Sequence, residues 1–558
     1  MTTADLIVTN ARVLTMDDDA PRAEAVAVAG DRILAVGQST EIEALRGPGT
    51  QVIDAREATL LPGFVESHCH LFYGGAELGH LPLTGVMGFD AVDRAVRAYA
   101  AANPDVPVLV AQGADYAIFG RVATRADLDA ILPDRPLAFV AGDHHTVWAN
   151  TAALHAAGLL HGRDLAPGSE VVMGEDGLAT GELRESPAFS PLMNLAGVER
   201  ASLGLRTGGE PETPPTPEER AADRAMILAA ARHFAAHGIT TAVNMDGNLY
   251  TLDLLRELEA EGNLPLRVKV PFHFKPWMAL GELEKASVMA RDWQGDRLLS
   301  GHVKMFMDGV VDSGTALLTE DYPGRPGWRG EPLFDPAWFA EVAIEADRRG
   351  LQIAVHAIGD GAVRTVLDGY EAARRVNGPR DSRHRIEHIE VIHPEDRPRL
   401  KELGVVASVQ PPHPPGCMDL PLEPTVSQIP RHRWGDAYLW ASLDAPLAFA
   451  SDWPVSDVAV LRGIKAAVCR KPWTEDLSDE RVGLLETLAA YTRNGAWAAH
   501  MEHLTGQIRP GLMADFVLLS GNIEAVTPQN IDRLRVALTV CGGEVTFRDT
   551  AAEEALTR

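Results

Sequence analysis

The chain has 558 residues, of which 46% are hydrophobic and 23% are charged, a composition typical of a globular protein with more than one core. Its 51 basic and 78 acidic residues give a formal charge of −27, which argues against nucleic acid or an anionic membrane as a partner. Four widely spaced cysteines, no apparent secretory signal and no apolar stretch long enough to span a bilayer predict a cytoplasmic protein.

Both ends of the chain are predicted to form short β-strands. Alternating β-formers and a turn at Gly30-Asp31 predict strands at 5–10, 12–15, 25–28, 33–36 and 51–54. Near the other end, the same pattern predicts strands at 514–519, 536–540 and 545–547. The residues between these two segments follow a different pattern.

From about residue 60 to residue 494, the chain repeats a strand, a loop and a helix. Apolar runs predict strands at 108–112, 137–141, 240–244, 266–270, 302–306, 352–356, 385–389, 405–409 and 447–450. Helical periodicity marks 217–237, 338–350 and 361–376, with Gly238 and Gly350 where helices should end. Repeated units of this length predict a parallel (β/α)₈ barrel, while the alternative, an open doubly wound sheet, would need a glycine-rich phosphate turn that we do not find.

Two stretches interrupt this pattern. Residues 207–218 are rich in proline, glycine and glutamate and are predicted to be a surface loop. The region 159–200 has few clear βα units and is expected to form an excursion over the barrel mouth. The sequence leaves open whether this excursion is a lid or a plain surface insertion.

A pair of histidines stands at the end of an early apolar strand. Because side chains alternate along a strand, His68 and His70 should project to the same side while Cys69 points to the other. Two neighbouring imidazoles can bind one metal ion, although two histidines at this spacing also occur by chance.

Other polar residues stand at the ends of later predicted strands. These are Lys304, His356, His388 and Asp452. Each could have a structural role alone, as a hydrogen-bonded core histidine or a capping aspartate. The carboxyl ends of barrel strands surround one mouth, so the coincidence of all six residues there favours a shared metal site.

Lys304 is the hardest of these residues to explain as a structural group, because burying an ammonium costs several kcal/mol unless it is paired or neutralised. A neutral lysine beside a metal could react with carbon dioxide and form an anionic carbamate that bridges two cations. Desolvation and nearby positive charge favour the neutral amine that this reaction needs.

The motifs together resemble those of the amidohydrolase superfamily, specifically the amidohydrolase-3 or YtcJ-like group that includes N-substituted formamide deformylase. The similar segments are LPGFVESHCH, HVKMFMDGVVDSGTALL, VHAIGD, HRIEHIEVI, ASDWPV, TRNGAWAAH and GQIRPGLMADFVLL, with GDHHTVWANTAAL and GLATGELRES between the first two. The resemblance extends over nearly the whole chain.

This resemblance implies a domain organisation. A distorted (β/α)₈ barrel is expected over residues 59–500, with an insertion around 155–220. Residues 1–58 and 501–558 are expected to form one composite β-sandwich domain. By analogy, a homodimer is also expected.

The resemblance also implies a ligand set. His68, His70 and Asp452 are expected to bind the more buried metal, His356 and His388 the second, and a carboxylated Lys304 is expected to bridge them. Zinc suits imidazole and carboxylate ligands, although iron, manganese or nickel could fit, and one or both positions could be filled. Glu66, where many relatives carry aspartate, is expected to be structural.

The reaction expected from these ligands is hydrolysis of a small-molecule amide. A divalent ion lowers the pKa of bound water toward ~7, and Asp452 serves as general base and then general acid. His145, Trp148 and Asn150 are expected near the substrate, with His145 polarising it. A deaminase acting on a cyclic amidine and a binding protein with a vestigial metal site are the alternatives.

Overall fold

A computed structural model describes residues 3–142, 144, 146–165, 169–418 and 420–555. The chain divides into two compact units. One unit comprises Met1–Leu71 together with Gly204–Arg558, and the other comprises Phe72–Leu203. The second unit begins well before the insertion that the sequence suggests at 155–220.

The larger unit contains a closed barrel of parallel strands. In chain order, its eight strands are Phe64–Cys69, Ile239–Asn244, Arg267–Lys269 continued by Phe272–His273, Leu298–Leu299 continued by His302–Phe306, Gln352–Ala357, Arg385–His388, Val406–Val409 and Leu447–Phe449. Every neighbouring pair is parallel. A parallel bridge between Cys69 and Trp453 joins the last strand to the first, which confirms the predicted (β/α)₈ barrel.

Helices connect the barrel strands where the helical periodicity predicts them. The first begins at Pro217, with the Thr216 hydroxyl accepting from the Glu219 N–H, and ends before Gly238, whose φ is +81°. The α-helices of this unit are Ser39–Glu43, Pro217–Ala236, Leu249–Ala260, Leu283–Asp292, Pro336–Arg348, Asp360–Asn377, Arg397–Leu403, Leu422–Gln428, Val460–Cys469, Leu484–Ala490, Arg493–Ala498 and Thr550–Ala555. Within the described ranges, no helix combines the length and hydropathy needed to cross a bilayer.

Two predicted barrel strands belong instead to the smaller unit. The runs at 108–112 and 137–141 form Leu109–Ala114 and Leu137–Ala141, inside a mixed six-stranded sheet with Leu81–Pro82, Thr146–Ala149, Glu170–Met173 and Ala179–Arg184. An apolar run predicts a strand that is buried on both faces, but it does not show to which sheet the strand belongs. The sequence alone therefore could not distinguish these two strands from those of the barrel. The helices within this unit are Phe89–Ala102, Arg125–Ile131, Thr151–Ala156 and Ser186–Leu195, and the chain passes between the units through Leu71–Glu77 and Glu199–Arg206.

Strands from both chain ends combine into a second core of the larger unit. One sheet contains Arg32–Gly37, Ala25–Ala29, Ala4–Thr9 and Arg46–Asp54, and the other contains Glu544–Arg548, Val536–Cys541, Phe516–Leu519, Thr59–Pro62, Arg12–Leu14 and Arg22–Ala23. Apolar side chains of both sheets share one buried cluster, including Val8, Val26, Leu60, Phe516 and Val540. These sheets therefore pack as a sandwich.

Candidate metal centre

The first barrel strand brings two imidazoles to one carboxylate. The Nε2 atoms of His68 and His70 lie 3.2 Å and 3.4 Å from Oδ1 of Asp452, which follows the last barrel strand. The three side chains are buried, and their ligand atoms are close enough to hold one metal ion. The strand alternation inferred from the sequence is therefore seen in the geometry.

Carboxylates hold the other nitrogen of each imidazole. His68 Nδ1 lies 2.7 Å from Oε2 of Glu387, and His70 Nδ1 lies 2.9 Å from Oδ1 of Asp246. Glu387 is itself held by Arg385, whose Nε donates to Glu387 Oε1 at 2.8 Å. Acceptors in these positions fix the ring orientation and leave each Nε2 lone pair free for a metal.

A second group of possible ligands uses the other oxygen of Asp452. His388 Nδ1 and His413 Nε2 lie 4.0 Å and 3.9 Å from Asp452 Oδ2, and one ring nitrogen of each lies within reach of a common ion. The two rings are stacked, with centroids 5.8 Å apart and an interplanar angle of 5°. Asp452 thus faces both groups.

His356 and Lys304 lie beside these groups on neighbouring strands. The centroid of the His356 ring is 4.5 Å from that of His388, while its Nε2 lies 3.0 Å from the Gly309 carbonyl oxygen. Lys304 is fully buried, its Nζ has no hydrogen-bond partner among the residues that the structure describes, and this atom lies 4.6 Å from the Phe306 ring centroid. Burial lowers the pKa of Lys304 to about 8, although Glu387 and Asp452 raise it.

Two of these residues have an unusual backbone conformation. The φ angles of His388 and Asp452 are +80° and +59°, in the left-handed region that residues other than glycine rarely adopt. Such strain costs about 1–3 kcal/mol per residue and clusters at functional sites, where the surrounding structure must sustain it. Both strained residues belong to the second group.

The protonation states of Asp452, His356 and His388 suit a cation, whereas burial of His70 is outweighed by hydrogen bonds to Asp246 and Asp452, which raise the pKa of His70 to about 9, so a cation would displace a proton there. Burial lowers the pKa of His356 to about 3 and that of His388 well below its usual value, so both imidazoles are neutral, the form that binds metals. Burial opposes ionisation of Asp452, but His68, His70 and His388 hold its pKa well below the usual range. Within the described part of the chain, Asp452 Oδ1 is buried without a well-aligned hydrogen bond, as is Lys304 Nζ. Imidazole and carboxylate donors of this kind suit zinc.

The structure describes two of the three residues that are expected near the substrate. His145 lies outside the described residues. Trp148 is completely buried in an apolar cluster of the smaller unit. Asn150 is completely buried too, and its side chain accepts from Leu137 N and Ala153 N while donating to two carbonyl oxygens. Trp148 thus packs in this cluster and Asn150 caps the helix Thr151–Ala156, and their expected position near the substrate stays a prediction.

Four polar residues of the site were not recognised in the sequence. Asp246 follows the second barrel strand, Gln410 and His413 follow the seventh, and Glu387 precedes His388. Asp246, Gln410 and His413 could have been found by considering every polar residue that follows a predicted strand. Glu387 lies within the motif HRIEHIEVI but has no spacing that distinguishes it from an ordinary charged residue.

Glu66, two residues before His68, is buried, and its Oε1 accepts from Ser451 N at 2.7 Å. Burial raises its pKa to about 8, against the Ser451 hydrogen bond, so the folded protein keeps this carboxyl protonated at neutral pH. This environment supports the expected structural role.

We therefore expect Glu66→Gln to fold and to gain stability relative to the wild type as pH rises. Unfolding releases the Glu66 proton between its usual pKa of 4.5 and about 8, so wild-type stability falls through this range by up to about 1.4 kcal/mol per pH unit. Urea unfolding of both metal-free proteins between pH 5 and 8 measures this difference. A difference that does not vary with pH would contradict the buried, protonated carboxyl.

A parallel barrel with imidazoles and carboxylates at the carboxyl ends of its strands defines a metal-dependent hydrolase. The sequence profile described as "Amidohydrolase family" matches residues 51–547. The chain belongs to the amidohydrolase family, which confirms the resemblance inferred from its motifs.

Known proteins of similar length match nearly the whole chain. Protein LONG AFTER FAR-RED 3 of Arabidopsis thaliana is 31% identical over 93% of this chain and 88% of its own length. N-substituted formamide deformylase of Arthrobacter pascens is 25% identical over 98% and 99%. An uncharacterised metal-dependent hydrolase from Pyrococcus furiosus, known from its crystal structure, superposes with a TM-score of 0.70, at 26% identity over 94% of this chain and 99% of the other.

Proposed function

We propose that this protein hydrolyses the C–N bond of small amides, of which N-substituted formamides are the leading class, and releases a carboxylate and an amine. The observation that carries this proposal is the convergence of two oriented imidazoles on the buried carboxylate of Asp452. The similarity to N-substituted formamide deformylase supports the substrate class.

We propose that His68, His70 and Asp452 would hold one cation, and that His356 and His388 would contribute to a second position. Lys304 would bridge the two after its neutral amine adds to carbon dioxide and loses a proton. A lysine pKa of about 8 favours this reaction, since it leaves a fraction of neutral amine at physiological pH. Zinc is the proposed ion because its preferred donors are present.

A bound divalent cation would supply a water of lowered pKa and polarise the substrate carbonyl. Asp452 is ionised and buried, so it is able to take the proton of the attacking water as the oxygen adds to the carbonyl carbon. The C–N bond then breaks as Asp452 returns the proton to the departing nitrogen. Glu387 and Asp246 keep His68 and His70 oriented throughout. We assign His145 the role of polarising the substrate, and we propose a cytoplasmic homodimer.

The direct test is to remove and restore the metal. We expect chelation followed by dialysis to abolish amine release from N-alkyl and N-aryl formamides, and zinc to restore it. Lys304→Ala treated in parallel should recover only a small part of the activity, because the bridging anion would be missing.

A panel of further substrates distinguishes an amide hydrolase from a deaminase and from a binding protein. Longer N-acyl amines test the acyl specificity, and cyclic amidines assayed for ammonia test a deaminase. Amidase activity unaffected by chelation would refute the metal-dependent reaction. Tight zinc binding without turnover of any panel member would favour a binding protein.

A further inference from the structure

We infer that His413 is a ligand of the second cation, supplied from the loop after the seventh barrel strand. This inference rests on the proposed metal-dependent function and adds a residue to its site. His413 is 5% exposed, and its Nε2 is buried without a hydrogen-bond partner among the described residues. This nitrogen lies 3.9 Å from Asp452 Oδ2.

Like His68 and His70, His413 has a carboxylate near Nδ1, although at a longer distance. Its Nδ1 lies 3.5 Å from Oε1 of Glu390, as His68 Nδ1 and His70 Nδ1 lie beside Glu387 and Asp246. An acceptor on one nitrogen leaves the other as the electron-pair donor, which is the usual arrangement around metal-binding histidines. Glu390 thus lies on the Nδ1 side of His413 and Asp452 on its Nε2 side, with the Glu390 contact longer than those of His68 and His70.

The distances fit a shared cation with a small adjustment. Ligand atoms on a tetrahedral zinc lie roughly 3.4 Å apart, given zinc–nitrogen and zinc–oxygen bonds of about 2.0–2.2 Å. The separations of 3.2 Å and 3.4 Å in the first group already match this value. In the second group, His413 would need to approach Asp452 by about half an ångström from 3.9 Å.

The loop that carries His413 is held firmly. It begins directly after Val406–Val409, and His413 N donates to the Gln410 carbonyl oxygen at 3.0 Å, which closes a turn around Pro411 and Pro412. Two prolines restrict φ within the turn, so little conformational freedom is lost when the side chain binds an ion. Gln410 Oε1 also lies 2.9 Å from His388 Nδ1, so one turn positions both imidazoles.

His413 also has a clearer approach to Asp452 than His356 has. Among the described residues, the groups able to hold an ion are His68, His70 and Asp452, and His388, His413 and Asp452. The Nε2 of His356 is engaged with the Gly309 carbonyl oxygen. His356 would therefore act through Nδ1, and His413 would be a further ligand near Asp452.

The test compares zinc stoichiometry in the wild type, His413→Gln and a control, His432→Gln, whose exposed imidazole pairs with Glu320. After stripping and reconstitution, we expect the wild type and the control to retain two zinc equivalents per chain by mass spectrometry. We expect His413→Gln to retain one and to bind the second on the order of 100-fold more weakly. Cobalt substitution should show the same loss as a change in visible absorption.

A second variant distinguishes the loss of a metal ligand from misfolding of His413→Gln. His413→Cys offers zinc a different ligand and should restore the second equivalent, which a purely structural histidine would not explain. If His413→Gln keeps both equivalents at wild-type affinity, His413 is not a ligand, although the proposed function survives. If the wild type binds no zinc and has no amidase activity, both proposals are overturned.

Discussion

Asp452→Asn is expected to lower kcat by about 10³–10⁴-fold, because the asparagine amide can neither accept the proton of water nor return it to the leaving nitrogen. The neighbouring imidazoles hold the pKa of Asp452 well below its usual value, so the wild-type carboxylate is ionised and ready to act. The variant also loses the anionic oxygens that face His70 and His413. Steady-state kinetics with a formamide substrate, together with zinc content, measure both effects.

The matched control is Asp457→Asn, five residues further along the same segment. Asp457 is partly exposed and forms an ion pair with Arg462 at 2.6 Å. We expect kcat to change less than about twofold there, because surface pairs contribute little and this one does not contact the candidate site. Asp452→Asn retaining more than a tenth of the wild-type kcat would remove Asp452 from its proposed role.

The largest expected loss of stability follows from Asp515→Ala. Asp515 and Arg267 are completely buried, with Arg267 Nε and Nη2 donating to the two carboxylate oxygens at 2.7 Å and 2.9 Å. Arg267 begins the third barrel strand and Asp515 directly precedes a strand of the sandwich, so the pair joins the two cores. Removing one partner leaves a buried, unpaired guanidinium and should cost about 3–5 kcal/mol.

The shift in urea midpoint measures this loss, with Glu524→Gln as the control. Glu524 also pairs bidentately with an arginine, Arg22, at 2.7 Å for both contacts, but at the surface. Its loss should cost no more than about 1 kcal/mol. The double variant Arg267→Met with Asp515→Leu should recover much of the stability. Equal effects of Asp515→Ala and Glu524→Gln would contradict the role assigned to burial.

Much of the barrel and of its first group of ligands could be predicted from the sequence. His68 and His70 stand at the end of an apolar strand, where alternation alone places them together. Lys304 could be recognised because a cation inside an apolar run is costly. The aspartate at the last strand end, Asp452, followed from the way that parallel strands meet at one mouth.

The remaining features depend on contacts that no local pattern records. Asp246 and Glu387 are ordinary carboxylates in sequence, and only the fold places them against Nδ1 of the two histidines. His413 follows a proline pair that is typical of a loop, so its burial could not be inferred. Apolar pattern alone assigns the strands at 108–112 and 137–141 to the barrel, because these strands of the smaller unit are as apolar as those of the barrel.

The sandwich also constrains how the polypeptide acquires its structure during synthesis. Thr59–Pro62 pairs with Phe516–Leu519, so the earlier segment must remain without this neighbour until more than 450 further residues have been synthesised. Its exposed edge and apolar face would be available to chaperones, or to other nascent chains, for that whole interval. A chain truncated before residue 516 would therefore leave the edge of Thr59–Pro62 without this partner.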